Sequence, residues 1–275
     1  MQDLKFQEYL QSLAIKDSSI NKYLGVFRNI PKNILNDAEK INRFIANRNR
    51  KYNDSILYYS VIKHYLRFKR NIDVLPLIKY PRIQRKIRTP HYYDISIIFK
   101  IIERIPIYNY KIAAYVQFFG GMRAYEVMQV RKDDINILDD ETMILVKSAK
   151  RKPYTVSIVG IGFEKLKEYI ENKPFRPNDL IFCKDTRSRD DITKIRTNIR
   201  YYQQIVKDTA MNLGYNLTTH DLKRNLARFL RKDRNLTIEE IKEALHHSSV
   251  NTTMGYIGEI RTDRVYNRLK SIDFN

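Results

Sequence analysis

The chain has 275 residues, of which 43% are hydrophobic, so it can bury the core of one large domain or of two smaller ones. Its formal net charge of +20 indicates a polyanionic partner, most often nucleic acid, with a basic ribosome-associated or membrane-surface protein as the alternative. The single cysteine, Cys183, excludes a disulfide framework and a cysteine-based metal site, and the lack of a long apolar run or a signal-peptide pattern favours a cytoplasmic protein without a membrane span.

Residues 1–80 have the apolar spacing of four short amphipathic helices, which predicts a small helical bundle. The apolar faces of these helices begin at Phe6, Ile20, Ile41 and Ile56. The predicted N-caps of the second, third and fourth helices are Ser18 or Ser19, Asn36, and Asn53 or Asp54. The polar faces carry many Lys and Arg residues, and this collective excess of cations favours an anion-binding surface over ordinary solvated faces.

Residues 81–91 form a predicted basic linker between this bundle and a second domain, residues 92–275. Pro81 and Pro90 bound the segment, and four of the ten residues between and including them are Arg or Lys. Such a stretch either crosses a DNA backbone in extended form or is an ordinary solvated linker, and the sequence favours neither interpretation.

The second domain is predicted to be mainly α with a small antiparallel β-sheet. Helical spacing predicts helices over 94–105, 111–119, from Ala124 onward, and over 163–170, 192–213, 221–232 and 238–245. The last of these opens with the capping box Thr237-x-x-Glu240. Short β-branched runs predict strands over 134–138, 142–146 and 154–158, with residues 148–153 as a hairpin loop and 180–183 as a further short strand.

Two stretches of this domain carry cations suited to a phosphodiester. Cleavage by direct attack requires an in-line nucleophile, cations on the non-bridging oxygens and an acid for the leaving 5′-oxygen. Arg123 follows a Gly-Gly break at a predicted helix start, where free backbone amides also favour an anion, and Glu126 is an acidic neighbour three residues later. The loop 147–153 contains Lys147, Lys150 and Lys152, each of which is by itself consistent with a solvated basic turn.

Two further stretches carry imidazoles, cations and a phenol. His220 lies directly before the predicted helix over 221–232, and Lys223 and Arg224 lie in its first turn. Adjacent side chains on a helix diverge by ~100°, so Lys223 and Arg224 are not expected to share a phosphate. Residues 245–256 are rich in hydroxyl groups and predict a polar turn between two short helices. This stretch contains His247 and Tyr256, a pair that suits attack on phosphorus assisted by an imidazole. Glu243 and His247 lack a third ligand, so no metal site is predicted.

In this order, the motifs resemble those of the tyrosine recombinases, the phage-integrase family. Residues 121–127 resemble the pattern Gly-Leu-Arg-x-x-Glu-Leu, which makes Arg123 the first catalytic arginine. Residues 220–227 resemble His-x-Leu-Arg-His-x-x-Ala, with Lys223 at the place of the second arginine and Arg224 at that of a common histidine. Residues 245–256 resemble Leu-Gly-His-Ser-Ser followed by Thr-Thr and Tyr, with His246 in place of the glycine.

The resemblance implies a helical core-binding domain over 1–80 and an α+β tyrosine-recombinase catalytic domain over 92–275. Its C-terminal tail helix would dock on a neighbouring subunit. It implies that Tyr256 forms a 3′-phosphotyrosyl bond, while a hairpin lysine donates a proton to the leaving 5′-oxygen. Counting back from the following strand favours Lys150, and Lys147 and Lys152 remain open. Four protomers would exchange strands of double-stranded DNA through a Holliday junction, without a metal or other cofactor.

Three alternatives stay open. In the first, the chain is a type IB topoisomerase, which uses similar chemistry as a monomer. In the second, it is a DNA-binding relative that has lost cleavage, as Lys223 suggests. The third is a basic helical scaffold protein in which the motifs occur by chance.

Overall fold

The computed structural model describes residues 2–48, 52–81, 92–147, 152–184 and 191–257. The chain divides into two units, Met1–Arg88 and Thr89–Asn275, and each has its own apolar core. Almost all of the predicted linker and the whole of the predicted tail helix lie outside the described residues. None of the helices in the described part of the chain is long and apolar enough to span a membrane.

The first unit contains the four predicted amphipathic helices, which are α1 (Gln2–Ser12), α2 (Asp17–Arg28), α3 (Ala38–Asn47) and α4 (Tyr52–Phe68). Their apolar faces meet in a core in which the ring of Phe27 lies 5.0 Å from that of Phe6 and 4.6 Å from that of Tyr65. Burial of these faces, rather than intrinsic helix propensity, is the main source of stability for helices this short.

The predicted helix starts in this unit were wrong by one to three residues. The carbonyl of Lys16 accepts bonds from two first-turn amides, so α2 begins at Asp17, ahead of both predicted serine caps. Asp37, not Asn36, caps α3, because its carboxylate accepts hydrogen bonds from the amides of Glu39 and Lys40. The fourth helix, α4, likewise begins at Tyr52, before its predicted caps.

The second unit is mainly α with one small antiparallel sheet, which confirms the predicted fold class. Its elements are α5 (Ile95–Glu103), α6 (Tyr108–Phe119), α7 (Ala124–Val127), β1 (Ile135–Ile137), β2 (Glu141–Val146), β3 (Tyr154–Val159), α8 (Ile161–Glu171), α9 (Asp191–Asn212), α10 (Thr219–Lys232), α11 (Ile238–Ala244) and α12 (Val250–Ile257).

The sheet has the order β1-β2-β3, and alternate residues of β2 and β3 point into the core. The ladder between β2 and β3 ends at the pair Val146 and Tyr154, so residues 147–153 connect these two strands. The predicted strand over 180–183 was wrong. Leu180 forms only an isolated bridge with Arg131, because the few backbone hydrogen bonds between the facing segments do not continue into a ladder along residues 181–183.

The buried helix α6 anchors the elements around it. The amide of Gln117 is 1% exposed; it donates to the carbonyl of Thr219 over 2.9 Å and accepts from the hydroxyl of Tyr202 over 2.6 Å. These bonds fix the start of α10 against α6 and α9. Gly121, directly after α6, has a φ of +55°, and a Cβ atom there would lie 2.8 Å from the side chain of Leu245. The Gly-Gly break therefore packs closely against the end of α11, two residues before Arg123.

Candidate active site

Arg123 lies at the N-cap of α7, where Glu126 holds it at two points. One carboxylate oxygen of Glu126 accepts from the Arg123 amide over 2.7 Å, and the other accepts from Arg123 Nη1 over 3.0 Å. The Glu126 side chain is 3% exposed, whereas that of Arg123 is 32% exposed. The sequence predicted free backbone amides at this helix start, but the amide of Arg123 is already bonded to Glu126. The guanidinium of Arg123, oriented by the same carboxylate, remains accessible to an anion.

The start of α10 holds Arg224 in a similar way. Thr218 is the N-cap, and Oδ2 of Asp221 accepts from its amide over 2.9 Å and from its hydroxyl over 2.7 Å. The other oxygen of Asp221 accepts from Arg224 Nη1 over 3.1 Å. The Cζ atom of Arg224 lies 5.7 Å from the ring centroid of Tyr256. The Nε of Arg224 is buried and has no hydrogen-bond partner among the described residues.

Lys223, the preceding residue, has a different environment. It is 1% exposed, and its Nζ donates a hydrogen bond of 2.8 Å to the carbonyl of Leu245, the C-cap of α11. The last carbonyls of a helix have no partner within the helix, and a lysine is well suited to bind one of them. Lys223 therefore stabilises the end of α11.

The Tyr256 phenol lies between two imidazoles. Its hydroxyl is 3.1 Å from Nε2 of His220, and the two rings meet edge to face with centroids 5.2 Å apart. The ring of His247 lies 4.6 Å from that of Tyr256, and its Nδ1 is 3.0 Å from the hydroxyl of Thr253. Tyr256 is 9% exposed, so its ring is largely enclosed by these neighbours.

The pKa of His220 lies below its ordinary value, mainly because the surrounding protein partly desolvates the imidazole, although the residue keeps an exposed surface. The cations of Arg224, Lys223 and Arg123 lower it further, whereas the carboxylate of Asp221 opposes them. All three cations are therefore close enough to act on the same imidazole. A neutral His220 can accept the proton of the Tyr256 hydroxyl.

The candidate proton donors differ in their surroundings. Lys150, the favoured residue, lies outside the described residues. Lys147 forms an ion pair with Asp134, whose side chain is 3% exposed, and this contact raises the pKa of Lys147. A raised pKa makes Lys147 a weaker acid near neutral pH. Lys152 is exposed beside the start of β3.

Three contacts at the site were not predicted. Asp221 orients Arg224, and the spacing Thr218-x-x-Asp221 is a capping-box pattern that could have indicated this residue. The Tyr92 hydroxyl donates to the carbonyl of Tyr256 over 3.1 Å, a contact between residues 164 positions apart that has no signal in the sequence. The pairing of His247 with Thr253 also depends on the turn between α11 and α12.

The structure thus brings Arg123, His220, Lys223, Arg224, His247 and Tyr256 together in one part of the second unit. Its chemistry is that of a phenol beside a neutral imidazole and two accessible guanidinium groups, which suits attack on a phosphate. In the described part of the chain, no group of three His, Cys, Asp or Glu residues could hold a metal ion.

Comparison with known proteins gives matches in sequence and in structure. A model described as the phage integrase family matches residues 94–260, which include every residue of this cluster. The fold resembles the crystal structure of lambda integrase residues 75–356 bound to DNA, with a TM-score of 0.69 and 13% identity over 100% of this chain and 98% of that one. No curated protein sequence matches the chain.

Two other solved structures are similar. The Tn1549 transposon integrase in complex with a circular intermediate DNA has a TM-score of 0.67 and 11% identity, over 98% of each chain. The XerA recombinase has a TM-score of 0.53 and 17% identity, over 99% of each chain. These likenesses show a shared fold.

Proposed function

The chain belongs to the phage integrase family of tyrosine recombinases, whose model spans more than half of its length, and we propose that it cleaves and rejoins double-stranded DNA through Tyr256. In this proposal the Tyr256 hydroxyl attacks a phosphodiester, which forms a 3′-phosphotyrosyl bond and releases a 5′-hydroxyl. A 5′-hydroxyl from a partner strand then attacks the phosphotyrosine and reverses the step. The bond energy is retained, so the reaction requires no nucleotide, metal or other cofactor.

The observation that carries this proposal is the environment of the Tyr256 hydroxyl, which lies 3.1 Å from Nε2 of His220. Because the pKa of His220 is lowered, the imidazole is neutral near pH 7 and can accept the phenolic proton as the oxygen–phosphorus bond forms. Arg123 and Arg224 would hold the non-bridging oxygens, on which negative charge develops during the attack. His247, packed on the Tyr256 ring, completes the phosphate site.

We propose Arg224, rather than Lys223, as the second cation of the phosphate clamp. The ammonium of Lys223 is buried and donates to a carbonyl at the end of α11, so binding a phosphate would require this contact to break. Arg224 lies beside the phenol, is partly exposed and has a buried Nε without an acceptor among the residues that the structure describes. A buried donor without a partner is unfavourable, and a phosphate oxygen would satisfy it.

Lys150 is the proposed donor of the proton to the leaving 5′-oxygen. This assignment comes from the family's hairpin lysine, and it is supported by the engagement of Lys147 with Asp134. Lys152 remains the alternative within the same loop.

Four protomers on two DNA duplexes form the proposed active assembly, as the family resemblance implies. The formal charge of +20 supports a DNA partner, and the similar lambda and Tn1549 integrase structures contain DNA. The tail from residue 258 onward is the proposed segment for docking on a neighbouring protomer.

A trapped covalent adduct tests this proposal. The substrate is a pool of short duplexes with a randomised central block and a nick in one strand, so that cleavage near the nick releases a short fragment that cannot religate. The wild-type protein is expected to retain DNA through a bond that survives denaturation and that peptide mass spectrometry locates at Tyr256. The matched Tyr256→Phe variant should bind the same DNA and form no adduct.

The same assay separates the alternatives. DNA binding without any adduct would favour a relative that has lost cleavage. An adduct accompanied by efficient relaxation of supercoiled plasmid, without exchange of strands between duplexes, would favour a type IB topoisomerase. A failure to bind duplex DNA would exclude both enzymatic readings and favour the scaffold protein.

A further inference from the structure

His246 occupies an unusual backbone position at the end of α11. Its amide donates to the carbonyl of Glu243, and the amide of His247 donates to the carbonyl of Lys242, each over 2.9 Å. This pair of bonds is a Schellman motif, in which the residue after the C-cap adopts a left-handed conformation and is usually glycine. His246 has a φ of +51°, a strained value for a residue with a side chain. The family pattern also has glycine here, so the chain carries an imidazole side chain where that pattern has none.

The contact made by the imidazole of His246 indicates what it contributes. Its ring centroid lies 4.3 Å from that of Tyr154, with the two planes inclined by 33°. Tyr154 is the first residue of β3 and pairs with Val146 in the last rung of the ladder before the loop. The ring of His246 therefore packs against the base of the β2–β3 hairpin, where aromatic contacts favour a defined geometry.

His246 thus connects two parts of the proposed active site. On one side it is bonded to His247, whose ring contacts Tyr256. On the other side it supports Tyr154, two residues after Lys152 and four after Lys150. A glycine at position 246 would preserve the turn and remove this connection.

We propose that His246 is a positioning residue, which through Tyr154 holds the β2–β3 hairpin so that its lysine can protonate the leaving 5′-oxygen. This inference rests on the proposed function and adds to it a role for a residue at which the chain departs from the family pattern. His246 itself touches neither the phosphate nor the leaving group in this proposal.

The test compares His246→Gly with the wild type on two versions of a duplex selected by adduct formation. One version has the natural bridging oxygen at the scissile position, and the other has sulfur in place of the bridging 5′-oxygen. A thiolate leaves without protonation, so cleavage of the sulfur substrate does not depend on the hairpin lysine. The glycine variant retains the left-handed backbone, so it is expected to fold and to bind DNA with unchanged affinity.

We expect His246→Gly to cleave the oxygen substrate about 10-fold more slowly, a part of the ~100-fold that a general acid typically contributes. The sulfur substrate should be cleaved at the wild-type rate. Tyr154→Leu should show the same pattern, and the double variant should be no slower than either single one. Equal slowing on both substrates, or no slowing on the oxygen substrate, would overturn the inference while leaving the proposed function intact. If the wild type forms no adduct on either substrate, the proposed function fails and this inference fails with it.

Discussion

Lys223 and Arg224 are neighbours on α10 and carry the same charge, yet their cationic groups have different surroundings. The ammonium of Lys223 is buried against the carbonyl of Leu245, whereas the guanidinium of Arg224 lies beside Tyr256 and is oriented by Asp221. Their difference follows from the ~100° between adjacent side chains on a helix. One residue therefore supports the end of α11, and the next is the one that we propose binds the phosphate.

Substitution of these two residues should separate stability from catalysis. Arg224→Ala is expected to reduce adduct formation ~100-fold or more, because it removes a cation from the developing charge on phosphate. Lys223→Met is expected to lower the free energy of unfolding by about 1–3 kcal/mol, because the carbonyl of Leu245 loses its donor, and to change cleavage by the folded protein little. Arg231→Ala, which removes an exposed charge from the same helix, is the control. A greater loss of cleavage in Lys223→Met than in Arg224→Ala would reverse the assignment.

The ionisation of His220 offers a second test at the scale of one residue. Partial desolvation by the surrounding protein and the neighbouring cations lower its pKa, so its titration midpoint is expected below the ordinary histidine value of about 6.5. Arg224→Gln removes one of these cations and should raise the midpoint. Histidine ring NMR measures both values, with His220→Gln for assignment. A midpoint at or above the ordinary value, or one unchanged in Arg224→Gln, would contradict the proposed electrostatics.

The same shift has a consequence for stability, with a defined sign. Because the unfolded chain binds a proton at His220 more readily than the folded chain, the stability from this group is fully present above the unfolded pKa. This contribution to stability is lost as the pH falls from the pKa of His220 in the unfolded chain through its lower pKa in the folded chain.

At the scale of secondary-structure elements, two helix starts are built on the same principle. In α7 the third helical residue, Glu126, binds the N-cap amide and the guanidinium of Arg123. In α10 the third helical residue, Asp221, binds the N-cap Thr218 and the guanidinium of Arg224. Each carboxylate satisfies an amide that the helix leaves without a partner, and it also restricts the rotamers of an arginine. The two arginines are thus already oriented in the way that the proposed phosphate clamp requires.

The end of α12 is connected to the first described residues of the second unit. The hydroxyl of Tyr92 donates to the carbonyl of Tyr256, and the guanidinium of Arg228 lies 4.2 Å from the Tyr92 ring centroid. The adjacent Tyr93 forms its hydrogen bonds with other segments. Its amide donates to the side chain of Asn225, and its hydroxyl accepts from the amide of Asn216. Tyr92 therefore restrains the helix that carries the proposed nucleophile, whereas Tyr93 does not contact it through these bonds.

Tyr92→Phe is expected to slow adduct formation about 2- to 10-fold, because one hydrogen bond of roughly 0.5–1.5 kcal/mol no longer restrains Tyr256. DNA affinity should be unchanged. Tyr93→Phe is a matched control, since it also loses one hydroxyl hydrogen bond but not one to Tyr256. Thermal unfolding should show similar decreases in Tm for the two variants. Equal cleavage rates in both would mean that the Tyr92 contact contributes to stability alone.

At the scale of the whole molecule, the formal charge of +20 is spread over two units, each with its own core. A protein of this charge that contacts several phosphates releases condensed counterions when it binds duplex DNA. Affinity should therefore depend strongly on salt, whereas the chemistry proposed at Tyr256 would involve only a few of these cations.

Binding to duplex DNA is expected to weaken by about 1000-fold or more between 50 and 200 mM salt, as for a protein that makes six or more phosphate contacts. Fluorescence anisotropy across this range gives the slope of log affinity against log salt. Tyr256→Phe should keep that slope, because it removes no charge, whereas Arg123→Gln should reduce it by about one. An affinity independent of salt would be inconsistent with DNA as the partner.

Much of the fold follows from local patterns in the sequence. The amphipathic spacing from Phe6, Ile20, Ile41 and Ile56 predicted the helices of the first unit, and the capping box at Thr237 predicted the start of α11. These features depend on interactions within a few residues, so they are visible without knowledge of the fold. Helix starts were less predictable, because several adjacent polar residues compete to cap the same amides, as Asn36 and Asp37 do.

The arrangement at Tyr256 was decided by tertiary structure. The motifs indicated which residues to consider, but the choice between Lys223 and Arg224 depends on the rotation of α10 against α11 and α12. The hydrogen bond from Tyr92 and the packing of His246 on Tyr154 join segments far apart in the chain. A sequence pattern records the periodicity of each helix, whereas these contacts depend on how the cores of several elements pack together. The sequence alone therefore determined the elements and the available chemistry, and only packing decided which side chains meet.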